Sequence, residues 1–171
     1  MKKSTIIQNA AEFAEKAHAG QTRRNGEPYY NHVHRVALLA SELTDDEEIV
    51  AAAYLHDTME DCGTRVEELD TLFGSRVAGM VQELTNNEAM LEELGKEEYM
   101  VRKLSAMSSD ALLVKLCDTL NNMTETDRAK QAGTYARIQQ RLQHTWPQSW
   151  NDTHLQQSER IMAIYYSKFG E

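Results

Sequence analysis

Apolar residues recur three and four positions apart along almost the whole chain, the spacing that lines one face of a helix. Ile6, Ile7, Ala10, Ala11, Phe13, Ala14 and Ala17 make a first stripe, and Val33, Val36, Ala37, Leu39, Ala40 and Leu43 a second. The polar stretch between them, GQTRRNGEP at residues 20–28, is punctuated by Gly and Pro and reads as a loop. A third helix is predicted from near Asp45 through Ile49, Val50, Ala53 and Leu55. Thr64 and Glu67 have capping-box spacing for a short fourth helix that Phe73-Gly74 closes. Val77, Met80, Val81 and Leu84 form a fifth stripe, ended by Thr85-Asn86-Asn87. Residues 88–107 read as one helix with a loose, acidic-then-mixed surface face. Leu112, Leu113, Leu116, Cys117 and Leu120 mark a strongly apolar helix, and two more follow at 134–144 and 152–168, divided by Pro147. No segment alternates as a strand would, no unit repeats, and no shift in composition marks a boundary. The pattern predicts an all-α fold in a single domain over residues 1–171.

Composition narrows the class. A chain of 171 residues, 41% hydrophobic and 26% charged, is long enough to bury about 70% of the surface its unfolded form would expose. No apolar run approaches the roughly 18 residues of a membrane span. Gln8, Asn9, Glu12 and Glu15 interrupt what would have to be the apolar core of a signal after Met1-Lys2-Lys3. A soluble, cytoplasmic protein is expected. Eighteen Lys plus Arg against 27 Asp plus Glu give a formal charge of −9, which argues against a nucleic acid partner, and without an apolar span no membrane partner is expected either. A small anionic substrate stays compatible, because a local cluster or a bound metal inverts the field within a cleft. Cys62 and Cys117 follow no zinc or disulfide spacing and are expected as free thiols.

Two apolar helices end in residues that do not belong in a core. Ala51-Ala52-Ala53-Tyr54-Leu55 runs directly into His56-Asp57, with Glu60 and Asp61 four residues beyond. On a continuous helix these four groups project from adjacent faces of about two turns. Three carboxylates that close repel unless a cation sits among them. An exposed acidic helix end with His56 as bystander is the structural alternative. The second case is Leu112-Leu113-Val114-Lys115-Leu116-Cys117-Asp118, with Asn122 four residues on and Lys115 on the same side as Asp118. A plain Lys115–Asp118 ion pair would account for that one equally well. His32 opens the helix after the polar loop, whereas His34, two residues on, points elsewhere and is expected at the surface or in packing.

His32, His56, Asp57 and Asp118 together offer two imidazoles and two carboxylates, a mixed set that suits Mn²⁺, Fe²⁺ or Zn²⁺. Such an ion acidifies a water and polarises a phosphoryl oxygen, so metal-assisted hydrolysis is the expected chemistry. Glu60 and Asp61 remain to orient or deprotonate that water. Arg23 and Arg24, on the loop before His32, carry the planar fork that matches phosphate oxygens.

These residues fall in blocks. His56-Asp57-Thr58-Met59-Glu60-Asp61 resembles the HDxxED motif of the hydrolase domain of RelA/SpoT-type alarmone enzymes. The segment from His18 to His32 resembles that family's HxGQxRxxGxPYxxH, residues 73–85 its FG…V…LT continuation, and residues 114–123 its KLADxxxNM helix. The similarity covers about residues 4–125, leaving 126–171 as a divergent helical tail. It implies an HD-domain helical bundle and a Mn²⁺-dependent hydrolase, with one ion, that removes the 3′-pyrophosphate of (p)ppGpp to give GDP or GTP. By the same resemblance His32, His56, Asp57 and Asp118 are metal ligands, Glu60 and Asp61 the catalytic acidic pair, and Arg23, Arg24 and Asn122 substrate contacts; Lys115, on the same side as Asp118, is expected as a further substrate contact. No synthetase domain follows, so a stand-alone small alarmone hydrolase similar to the metazoan SpoT homologue is expected, and a homodimer is left open. Two other readings share these residues: a phosphatase of nucleoside monophosphates or another phosphorylated cofactor, and a non-catalytic nucleotide-sensing module. Retention of Glu60 and Asp61 speaks against the module.

Overall fold

A computed structural model describes residues 5–170 of the chain. Its elements gather into two compact units that meet in sequence at Thr85 and Asn86. The first holds α1 (Thr5–Ala17), α2 (Tyr30–Ser41), α3 (Glu47–Leu55), α4 (Thr58–Cys62), α5 (Val66–Phe73) and α6 (Ser75–Leu84). The second holds α7 (Glu88–Leu94), α8 (Lys96–Ala106), α9 (Ser109–Glu125), α10 (Ala129–Thr145) and α11 (Asp152–Phe169). The all-α expectation holds: among the described residues, β pairing is confined to one isolated bridge between Thr22 and Pro28.

In the first unit α3 is the central element. Every residue from Ile49 to Leu55 is buried, and the helix packs against α1, α2 and α6 at once. An apolar surface all round is what such a position requires. Asp46 caps α3 by accepting from the Glu48 N–H at 3.0 Å. Arg76 of α6 then donates to both Asp46 and Glu48, fixing the start of α3 against α6.

In the second unit α9 plays the same part, with eleven buried residues and α11 packed along it. Ser108 caps its start. The two helices run parallel, because α11 is tied to α9 near both ends. His154, at the start of α11, has its ring Nε2 2.9 Å from the Ser109 carbonyl oxygen, while its Nδ1 accepts from the Asn151 N–H at 3.0 Å. At the other end the Lys168 ammonium donates to the carbonyls of Met123, Thr124 and Thr126 at 3.3, 2.8 and 2.6 Å. Those carbonyls lie at the end of α9, where a helix runs out of internal partners.

Three local expectations are corrected. Residues 88–107 form two helices, α7 and α8, because Gly95 between them adopts φ +75°, which stops the first and starts the second. The Thr64–Glu67 capping box does not form; α5 begins at Val66, and the Thr64 N–H bonds the Thr58 carbonyl instead. Finally, the helix carrying His56 does not continue through Asp61. It ends at Leu55, and His56 and Asp57 form a turn before α4.

His154 gives the fold a pH dependence with a definite sign. Burial lowers its pKa below the ordinary 6.5, and its Nδ1 acceptor role requires a neutral ring. The unfolded chain therefore binds the proton more readily, so this contribution is intact above about pH 6.5 and is lost as pH falls below it. Urea unfolding between pH 7.5 and 5 should show falling stability, and His154→Gln should flatten that slope.

Candidate metal centre

The break after α3 creates the site. The Thr58 hydroxyl donates to the Leu55 carbonyl at 2.8 Å, and Asp57 sits at φ −103°, ψ −1°, in the sparsely used bridge region. In this turn His56 Nδ1 lies 2.7 Å from the Ala53 carbonyl oxygen. A carbonyl only accepts, so Nδ1 carries the hydrogen and Nε2 is the basic nitrogen of the neutral ring. That Nε2 lies 3.0 Å from Asp57 Oδ2, and the Nε2 of His32 lies 3.7 Å from the same oxygen. His32 and His56 are both buried, with ring centroids 5.4 Å apart.

Tyr29 completes this arrangement. Its hydroxyl donates to Asp57 Oδ2 at 2.7 Å, its ring stacks on the buried His18 at 4.8 Å, and its edge meets the His32 ring at 5.5 Å. The Arg23 guanidinium lies 5.8 Å above its face. The loop before Tyr29 is held in a fixed shape. The Arg23 N–H donates to the Glu27 carbonyl at 2.8 Å, and the Tyr29 N–H to the Gln21 carbonyl at 2.9 Å. Glu27 anchors the loop to α2 through a two-pronged pair with Arg35 at 2.7 and 2.8 Å. Arg24 lies exposed on the same loop.

Glu60 and Asp61 are exposed on α4. Partial desolvation, followed by the neighbouring Asp57 carboxylate, holds the Asp61 carboxyl above its ordinary range. Cys62 has its Sγ 3.3 Å from His18 Nδ1, and burial pushes its thiol up. Cys62 and Cys117 are both free thiols.

The second unit orients Asp118 with equal care. Lys115 donates to its Oδ2 at 2.7 Å and Asn122 to its Oδ1 at 2.8 Å, all three on one face of α9. Each carboxylate oxygen has two acceptor positions, so these bonds fix the buried Asp118 without exhausting it.

Three comparisons with known proteins bear on this geometry. The HD domain family matches residues 10–148. The chain belongs to the HD-domain family. Among curated relatives, this HD domain is 36% identical over 143 residues to guanosine-3′,5′-bis(diphosphate) 3′-pyrophosphohydrolase MESH1 of Danio rerio, covering 80% of this chain and 78% of that protein. It is 40% identical over 119 residues to the guanosine-3′,5′-bis(diphosphate) 3′-pyrophosphohydrolase of Aquifex aeolicus, covering 68% of this chain. The chain spans only 17% of the length of that second relative, and 16% of the probable GTP pyrophosphokinase of Mycobacterium leprae. A solved structure of a metazoan orthologue of SpoT matches with a TM-score of 0.83 over 100% of this chain and 99% of its own. At 24% identity that likeness is one of fold.

An HD domain implies a divalent metal, and the first unit's donor set fits one. Two imidazole nitrogens and a carboxylate oxygen turned toward one another need positive charge among them, and this hard-to-intermediate N/O chemistry suits a first-row divalent ion. The hydrogen bond from His56 Nδ1 to a backbone carbonyl is the outer-shell contact that fixes a metal-binding tautomer.

Of the residues singled out in the sequence, the first unit brings together His32, His56 and Asp57, with Asp61 on the next helix and Arg23 beside Tyr29. Lys115, Asn122 and Asp118 stand together on α9. His34 packs as expected, its Nδ1 2.7 Å from the Tyr54 hydroxyl and its ring stacked on Tyr30. Arg137 and Arg141, on the divergent tail, are engaged by Glu97 and Glu98 of α8. Tyr29 and His18 were visible only as motif letters. The usable signal was Tyr29 standing three residues before His32, the spacing at which side chains of adjoining helical turns meet.

The loop anchor is testable by titration. Hydrogen bonds from Arg35 and then Asn25 bring the Glu27 carboxyl from its ordinary 4.5 down to about 2. A depressed carboxyl contributes above its unfolded pKa and loses that contribution as pH falls through the range between the two values. NMR titration of the Glu27 side chain should give a midpoint near 2 in the parent. In Arg35→Met it should rise most of the way back to 4.5.

Proposed function

We propose that this HD domain is a divalent-metal-dependent phosphohydrolase that removes the 3′-diphosphate of guanosine 3′,5′-bis(diphosphate) to give GDP and pyrophosphate, and that of its 5′-triphosphate counterpart to give GTP and pyrophosphate. The observation that carries the reading is the convergence of His32 Nε2 and His56 Nε2 on Asp57 Oδ2, beside a fixed loop carrying Arg23 and Arg24. His32, His56 and Asp57 are the proposed ligands within the first unit, the family motif adds Asp118 to the ligand set, and one Mn²⁺ is the proposed ion. When bound, such an ion supplies Lewis acidity toward a water and a phosphoryl oxygen.

The remaining steps belong to the chain. A carboxyl held above its ordinary range exchanges protons closer to neutral pH, which suits Asp61 to take a proton from the attacking water. Glu60, one residue away on α4, orients that water. As the oxygen attacks phosphorus, the bond from phosphorus to the 3′ oxygen breaks, and that oxygen leaves with the proton that Asp61 took from the water. Arg23 and Arg24 hold the charged diphosphate through their planar forks. Asn122 and Lys115, already aligned on Asp118, are the proposed contacts from α9. No described helix is long and apolar enough to cross a membrane. A cytoplasmic enzyme acting on a free nucleotide, with no nucleic acid or membrane partner, is the corresponding proposal, with residues 1–171 working as one HD-type domain.

Purified protein incubated with ppGpp and Mn²⁺ should release GDP and pyrophosphate in equal amounts, and EDTA should abolish both. Intact ppGpp beside phosphate released from a panel of nucleoside monophosphates would keep the metal chemistry and overturn the substrate. Asp61→Asn should lower kcat by about 10²- to 10⁴-fold, the usual weight of a general acid–base group, with metal content unchanged. Arg23→Ala should impair cleavage of the diphosphate far more than that of any monophosphate, and equal effects on the two would count against the assignment.

A further inference from the structure

We infer that Tyr29 is a positioning residue that couples the arginine-bearing loop to the metal ligand Asp57. This rests on the metal reading above and adds a residue with no role in it.

The geometry is specific to the hydroxyl and to the ring separately. The hydroxyl donates to Asp57 Oδ2 at 2.7 Å, the same oxygen that faces His56 Nε2 at 3.0 Å and His32 Nε2 at 3.7 Å. A carboxylate in a turn has free rotation about its last bond unless something holds it. Here the phenol fixes which oxygen is turned toward the two imidazoles. The phenol in turn is held from behind. Its ring lies on the His18 imidazole at 4.8 Å with 29° between planes, and His18 is only 2% exposed. His18 is itself fixed, with Nδ1 2.9 Å from Gln21 Oε1 and 3.3 Å from Cys62 Sγ. The Arg23 guanidinium lies 5.8 Å from the ring centroid. One aromatic ring thus spans a buried stack, a ligand carboxylate and a cation suited to phosphate.

The two functions separate by substitution. Tyr29→Phe keeps the ring, and with it the His18 stack and the Arg23 contact, but removes the hydroxyl that bonds Asp57 and also reaches Asp61. Losing an outer-shell partner of a ligand costs roughly 10- to 100-fold in metal affinity. Tyr29→Leu removes the hydrogen bond and the aromatic face together.

Calorimetric titration of metal-free protein with Mn²⁺, without substrate, is the deciding experiment. Tyr29→Phe should bind Mn²⁺ at least about 10-fold more weakly than the parent, with the melting temperature of the metal-free protein unchanged. At saturating Mn²⁺ its KM for ppGpp should match the parent's, whereas Tyr29→Leu should raise KM as well. Equal Mn²⁺ affinity in the parent and Tyr29→Phe would overturn the inference and leave the metal reading standing. A weaker affinity accompanied by a lowered metal-free melting temperature would make Tyr29 a structural residue and overturn it too. A parent that takes up no Mn²⁺ would remove the metal reading and this inference together.

Discussion

The hydrogen bond from His56 Nδ1 to the Ala53 carbonyl, 2.7 Å long, decides which nitrogen of the imidazole the protein presents, and the first unit is organised around that choice. The bond exists because α3 stops at Leu55. Were the helix to continue, the Ala53 carbonyl would accept from Asp57 and the imidazole would lose its anchor. Instead Thr58 takes the Leu55 carbonyl, Asp57 turns back, and its carboxylate comes to face two Nε2 atoms. Burying two imidazoles beside a carboxylate costs several kcal/mol unless charge is balanced among them. A site built for a cation bears that cost with the ion in place.

The chain's formal charge of −9 makes an anionic nucleotide an unexpected ligand on net charge alone. Local placement resolves this. Many carboxylates are already matched: Asp46 and Glu48 by Arg76, Glu27 by Arg35, Glu97 and Glu98 by Arg137 and Arg141. Arg23 is held over Tyr29 by a loop whose shape depends on backbone hydrogen bonds and on Glu27. The field near the site is therefore governed by a few positioned groups rather than by the sum over the surface.

The helices were legible because apolar periodicity is a local property, and α1, α2, α3, α6, α9 and α11 lie where their stripes predict. What periodicity hides is the single residue that breaks a helix. Gly95 divides the segment 88–107 through a positive φ, and His56-Asp57 divides another through side-chain bonds to backbone carbonyls, which no hydropathy pattern registers. His32, His56, Asp57 and Asp118 were conspicuous because each places an ionisable group at an apolar helix. Tyr29 was not, since a tyrosine beside a loop carries no anomaly of composition. Its role depends on the direction of one hydroxyl. His154 is similar: its capping box with Asn151 uses an imidazole where the sequence rule looks for Glu or Gln.

The central claim is that the imidazole pair of the first unit holds a divalent ion. Crystals grown with Mn²⁺ and measured at the manganese absorption edge would locate that ion by its anomalous scattering, independently of any assay. One strong peak is predicted within bonding distance of both His32 Nε2 and His56 Nε2, with an Asp57 oxygen in the same shell. A peak elsewhere, or none at full Mn²⁺ saturation with both rings in their present orientation, would contradict it.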